Sequence, residues 1–162
     1  MTDIFKAYYH SPIGLIELSA NHKQIIGLYF VEKEDASTDI PEILTKALKQ
    51  LDEYFSGKRI NFELDLFPEG SEFQKKVWDQ LLKIPFGTTK SYLNVANALG
   101  DRNALRAVGN ANGKNKISII IPCHRVVAAN GNLTGFSAAD GILTKTWLLE
   151  LEGRKIVAQK LV

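Results

Sequence analysis

Three stretches at the start of the chain, IFKAYYH (4–10), IGLIELSA (13–20) and IIGLYFVE (25–32), are strand-length and β-rich, and Ser11-Pro12 and Asn21-His22-Lys23 punctuate them. They predict an antiparallel sheet. The period then changes. Leu44, Ala47, Leu48, Leu51, Tyr54 and Phe55 recur at the spacing of one buried helix face, with Gly57 where the helix should stop. NFELDLF (61–67) returns to alternation and predicts one more strand. A boundary is expected near Pro68 to Ser71, giving an N-terminal domain over 1–70 and a C-terminal domain over 71–162.

Beyond it the pattern is helical. Ser71 and Gln74 form a capping-box pair ahead of an apolar stripe at Phe73, Val77, Trp78, Leu81 and Leu82. PFGTT breaks that helix. SYLNVANALG and NALRAVGNANG predict two short helices joined near Gly100-Asp101-Arg102, in the manner of a helix-turn-helix. The second carries small residues at Ala104, Ala107, Gly109 and Ala111, with Arg106 among them. Small side chains let a ligand surface approach the backbone, although most such helix pairs simply pack together. KISIII predicts a buried strand that Pro122 ends. Asn130-Gly131 predicts a hairpin across 126–136, and LTKTWLLELE a last helix stopped by Gly153.

Charge divides along the same line. Residues 1–70 hold 7 Lys/Arg and 12 Asp/Glu, whereas 71–162 hold 13 and 6, within a net charge of +2 over 162 residues. Seven basic residues and the single acid Asp101 lie between Lys83 and Arg125. Such clustering suits a polyphosphate partner or a merely solvated basic surface. No apolar run reaches membrane-span length, and MTDIFKAYYH lacks the make-up of a secretory signal. With one cysteine there is no internal disulfide, so a reducing, cytoplasmic setting is expected. Three scattered histidines give no metal site.

That cysteine, Cys123, stands directly before His124 and Arg125. A lone intracellular cysteine is usually a small buried hydrophobe, and a reactive one needs a base or a positive field. Either neighbour could serve, but adjacent residues of an extended strand point to opposite faces, so contact requires a bend, which Pro122 makes plausible. A histidine base also wants an orienting carboxylate, and Glu152, among apolar neighbours at the end of the last helix, is the best placed. Ionising the thiol fully gains only about tenfold to thirtyfold, so positioning of the electrophile must supply most of the rate. Sulfur suits an alkyl carbon, and an alkyl group on a base oxygen must be flipped out of the stack to be reached.

PCHRV, preceded by Asn115 and followed by the Asn-Gly turn and GF, resembles the active site of the O6-alkylguanine-DNA alkyltransferases. FQKKVWDQLLKIPFGTTKSY, RAVGNANGKN and WLLELEG resemble the same family's neighbouring segments, so the likeness covers most of the chain. It implies an α/β N-terminal domain, ribonuclease-H-like, with an antiparallel sheet and a helix. The C-terminal domain would be mainly α, with a winged-helix-like helix-turn-helix. It implies transfer of a methyl or other alkyl group from O6 of guanine, and from O4 of thymine, to Cys123, once per molecule and without a cofactor.

By the same resemblance His124 takes the thiol proton through a water, Glu152 orients His124, and Asn115 braces the turn near the thiol. Tyr92 presses on the phosphate and helps rotate the nucleotide, Arg106 fills the vacated stack, and Ser137 contacts the guanine. Ala107 and Arg125 join the DNA-contacting set. The implied partner is double-stranded DNA with alkylated bases, met in the minor groove by a monomer, with no membrane involved. Phe136 replaces a common tyrosine, the loop after Ser137 is about two residues longer than the usual form, and the zinc ligands of some relatives are missing. A lesion-binding protein without repair activity is a second reading, but such relatives lack the acceptor cysteine. A Cys-His-Glu hydrolase is a third, and it leaves Arg106 without a role.

Overall fold

The computed structural model describes residues 3–37, 39–134 and 141–162. The chain divides into two compact units, Met1–Glu69 and Gly70–Val162.

In the first unit β1 (Phe5–Ser11), β2 (Gly14–Ala20) and β3 (Ile25–Phe30) form an antiparallel meander in that order. Ile16, Leu18, Ile25 and Leu28 are essentially inaccessible, and α1 (Glu42–Phe55) packs on the sheet through Leu44, Ala47, Leu51 and Tyr54. Period-2 and period-3.6 burial therefore meet in one core. Gly57, at φ +76°, takes the left-handed position that ends α1.

The strand expected over 61–67 does not form. It makes one parallel bridge, Ile25 to Leu66, held by Ile25 N–H to Asp65 O and Phe67 N–H to Ile25 O, both 2.8 Å. The buried Gln50 side chain takes up Glu63, accepting from its N–H at 2.8 Å and donating to its carbonyl at 3.2 Å. A side chain has replaced the ladder partner that the alternation anticipated.

The second unit begins with α2 (Glu72–Leu82). Its capping box is complete: Gln74 N–H donates to Ser71 Oγ at 3.1 Å and Ser71 N–H to Gln74 Oε1 at 2.9 Å. A cap of this kind contributes about 1 kcal/mol. Val77, Trp78 and Leu81 are buried, while Leu82 at the last position stays exposed. β4 (Lys90–Ser91) leads into α3 (Tyr92–Ala98), which Ser91 and Asn94 cap in the same reciprocal way.

Gly100, at φ +83°, and a 3-10 turn over Arg102–Ala104 then deliver α4 (Leu105–Gly113). Val108, Ala111 and Asn112 face inward, and Trp78 Nε1–H donates to Ala111 O at 2.8 Å, tying α2 to α4. Ala111 is thus a packing residue, not one of the small residues left open to a ligand.

Residues 117–121, expected as a buried strand, are a turn. Ile121 N–H closes on Ile117 O at 2.9 Å, and Ile119 sits at φ +72° although it is β-branched and 1% exposed. That conformation costs on the order of 1–3 kcal/mol. Asn115 holds it from outside the turn: its Oδ1 accepts from Ile117 N–H at 3.0 Å and its Nδ2 donates to Ile121 O at 2.7 Å.

The Asn130-Gly131 turn exists, with Gly131 at φ +90° and Ala128 N–H reaching Asn132 O at 3.0 Å. Its arms do not make the hairpin anticipated from the sequence. β5 (Val126–Val127) pairs in parallel with β4, while Leu133 N–H donates to Gln159 O beside the two-residue strands β6 (Ile156–Val157) and β7 (Lys160–Leu161). The far end of that stretch, 135–136, lies outside the described residues. α5 (Ile142–Leu151) closes the unit, and Gly153 at φ +90° ends it. Among the described residues no helix is long and apolar enough to cross a membrane.

Candidate active site

The Ile119 turn delivers the chain to Pro122, and Cys123–Arg125 form a single 3-10 turn. The bend that contact between neighbours required is therefore present, as a turn in place of a kinked strand. Cys123 is 5% exposed and its thiol is the chain's only one. Burial pushes its pKa above the ordinary thiol value, and Asn115, the Lys145 charge, a backbone N–H and Ser118 partly offset that. The thiol is protonated at rest, so its proton has to go somewhere when the sulfur reacts.

His124 is fully buried, and its Nε2 lies 2.7 Å from Glu152 Oε2. A carboxylate only accepts, so Nε2 carries the hydrogen and Nδ1 of the neutral ring keeps its lone pair. Burial lowers the His124 pKa against the pull of Glu152, which keeps the ring neutral. Nδ1 is buried and has no hydrogen-bond partner among the described residues. Nδ1 is thus an unused acceptor on the residue next to a protonated thiol, chemically able to take up a proton.

Glu152, at the C-terminal end of α5, is 4% exposed and holds both neighbours. Arg125 Nε donates to Oε1 at 2.7 Å and Nη2 to Oε2 at 3.0 Å, while Nη1 donates to Ile84 O at 2.7 Å. Burial would raise the carboxyl pKa, but the bonds from His124 and Arg125 overcome it and bring it down to about 2. Arg125 was grouped with the DNA-contacting residues on sequence. The structure instead leaves it 7% exposed, its donors engaged by Glu152 and Ile84 and its guanidinium 5.8 Å from the Phe86 ring centroid.

Two residues of this region escaped the sequence reading. Lys145 of α5 is 0% exposed, and its ammonium donates to Val126 O at 2.5 Å and Thr134 O at 2.7 Å. Burial lowers its pKa to about 8, with the Cys123 charge opposing. The signal was its spacing, since Lys145, Leu148, Leu149 and Glu152 fall on one helix face. Asn112, 2% exposed, directs Nδ2 to Cys123 O at 3.4 Å. Its register with the buried Val108 marked it in the same way.

Tyr92 opens α3 beside this cluster. Its hydroxyl donates to Thr134 O at 2.9 Å, its ring lies 6.0 Å from Lys145 Nζ, and burial raises its pKa, so it keeps its proton. Tyr92 also lines a cleft of about 520 Å³ with Leu105, Arg106, Gly109, Ala128 and Thr134. Arg106 and Ala107 stand in solvent on α4. Ser137, expected to contact the base, lies outside the described residues. Among those described, no group of three or more His, Cys, Asp or Glu side chains could hold a metal.

The fold and site define a two-unit protein whose second unit sets a helix pair carrying exposed Arg106 beside a buried thiol, a buried histidine and the Glu152–Arg125 ion pair that braces it. Comparison with known proteins gives this class its family. The family described as "6-O-methylguanine DNA methyltransferase, ribonuclease-like domain" matches residues 4–68, and "6-O-methylguanine DNA methyltransferase, DNA binding domain" matches 72–154. A methylated-DNA–protein-cysteine methyltransferase of Methanosarcina acetivorans is 42% identical over 93% of this chain and 99% of its own length. One from Methanosarcina barkeri is 46% identical over 88% and 92%.

Among solved structures, the O6-methylguanine methyltransferase of Mycobacterium tuberculosis superposes with a TM-score of 0.83 at 40% identity, covering 93% of both chains. The Mycobacterium tuberculosis protein OGT in complex with DNA does so at 0.80 and 41%, covering 90% of both. The chain belongs to the 6-O-methylguanine DNA methyltransferase family.

Proposed function

We propose that this protein repairs DNA by direct reversal, taking the alkyl group from O6 of guanine onto Cys123 Sγ in one irreversible event. Sγ attacks the alkyl carbon in line with the C–O6 bond. The S–C bond forms as the C–O bond breaks, and the electron pair leaves with the guanine. The thiol proton passes through a water to His124 Nδ1, and the imidazolium so formed is held by Glu152. Tyr92, neutral because it is buried, supplies the proton that the departing guanine needs. Arg125 keeps Glu152 anionic whatever the state of His124, and Asn115 holds the turn that aims the thiol.

The helix pair brings the duplex to the site from its minor groove, and Arg106 takes the place of the flipped nucleotide. O4-alkylthymine is a second substrate on the same chemistry. The thioether has no leaving group that His124 and water could release, so each molecule reacts once, as a monomer. The observation that carries this reading is the unpartnered Nδ1 of His124, buried beside the only thiol and with its other nitrogen fixed on Glu152.

Intact-protein mass spectrometry after mixing with a slight excess of duplex bearing O6-methylguanine tests it. The expected result is a gain of one methylene, located on Cys123, that stops at one per molecule. The Cys123→Ala variant should show no gain while still binding the lesion. Lesion-selective binding by the natural protein without any mass gain would overturn repair in favour of recognition alone.

A further inference from the structure

Leu105 is the first residue of α4 and 45% exposed, the only exposed large apolar side chain among the described residues of the α3–α4 pair. By spacing it continues the buried stripe of Val108 and Asn112, but no core receives it. It lines the same cleft as Arg106, its neighbour in sequence, and Gly109, one turn on. A Cβ at Gly109 would meet nothing within 4 Å, so the surface beneath Leu105 is open. Around it stand Arg102 and Arg106, with Lys114 at the far end of the helix.

An apolar prong among cations fits a ligand that is anionic outside and apolar within. A duplex has that make-up: phosphates flank the groove, and deoxyribose edges and base faces line it. We propose that Leu105 is a DNA-positioning wedge, entering the minor groove beside Arg106 and holding open the base step from which the damaged nucleotide is withdrawn. Arg106 brings charge and hydrogen bonds to the vacated space. Leu105 brings apolar volume against the neighbouring sugar and base, as apolar wedges do in other minor-groove proteins. Its side chain is aliphatic and can neither hold nor move a proton, so its contribution is to placing the duplex and not to the transfer itself. This inference rests on the repair reading and deepens it.

The test compares Leu105→Ala with the natural protein on two substrates. One is a duplex holding a single O6-methylguanine, the other a short single strand in which that base is already unpaired. Methyl transfer to Cys123 is followed by intact mass. Transfer from the duplex should slow about tenfold, and transfer from the single strand should stay within about twofold. Leu105→Met should restore most of the duplex rate, since it returns apolar reach without the leucine shape. Equal rates for Leu105→Ala and the natural protein on the duplex would overturn the wedge. So would equal slowing on both substrates, which would mark Leu105 as a structural residue. Failure of the natural protein to take methyl from either substrate would refute the repair reading, and the wedge with it.

Discussion

Glu152 receives hydrogen bonds from His124 and Arg125 inside the protein, and its carboxylate is the counter-charge on which the buried guanidinium depends. Removing one member of such a pair leaves the other charged and dry. Glu152→Gln should therefore cost about 3–5 kcal/mol of stability, read by chemical denaturation. The folded carboxyl titrates at about 2 against an ordinary 4.5, so between those values the unfolded chain binds more protons. The stabilisation from this group is complete above pH 4.5 and is lost as pH falls towards 2. Denaturation of the natural protein across that window should show the slope, and Glu152→Gln should flatten it.

The sequence marked Glu152 only as the best-placed carboxylate, since a glutamate at a helix C-terminus is by default solvated, and its burial is a finding of the structure. Arg125 was misplaced for a related reason. A basic residue next to a thiol fits a DNA surface and an internal ion pair equally well, and only the arrival of α5 decides between them.

At the scale of elements, α4 carries an expense with no return inside the protein. Gly109 lies within the helix, is not among the positive-φ glycines, and has empty space where a Cβ would go. Glycine in a helix interior is about 1 kcal/mol less favourable than alanine. Gly109→Ala should raise the melting temperature and at the same time slow alkyl transfer from duplex DNA, because the added methyl would stand on the face to which the proposed function brings the duplex. Measuring both on one preparation separates the two effects.

The elements that could be read from the sequence were those whose pattern is local: the three-strand meander, α1, and the capping box of α2. The two strands that failed to form share another cause. NFELDLF and KISIII both have strand composition, but distant or flanking side chains, Gln50 for one and Asn115 for the other, take the backbone groups that a ladder would have used. The Asn130-Gly131 turn was legible, and its partners were not, because β5 pairs with β4, about 36 residues earlier in the chain, as parallel connections allow.

Over the whole molecule, the basic excess lies in residues 71–162, so under the proposed function that half carries the net electrostatic attraction for DNA. Binding to undamaged duplex should therefore weaken steeply with salt, with log K falling by about 0.9 per phosphate neutralised for each unit of log salt concentration. A titration between 50 and 200 mM salt (~fourfold) checks this. A flat profile would mean that the basic residues of 83–125 do not meet phosphates.

A molecule that reacts only once is spoiled by any wrong electrophile, and the surroundings of Cys123 bear on that. The thiol is 5% exposed and held in its protonated form. Peroxides and glutathione disulfide act on accessible thiolates, so both find this sulfur slow. The features that make Cys123 look inert in the resting protein act as a preservative, keeping the single equivalent intact through oxidative stress until a base is presented to it.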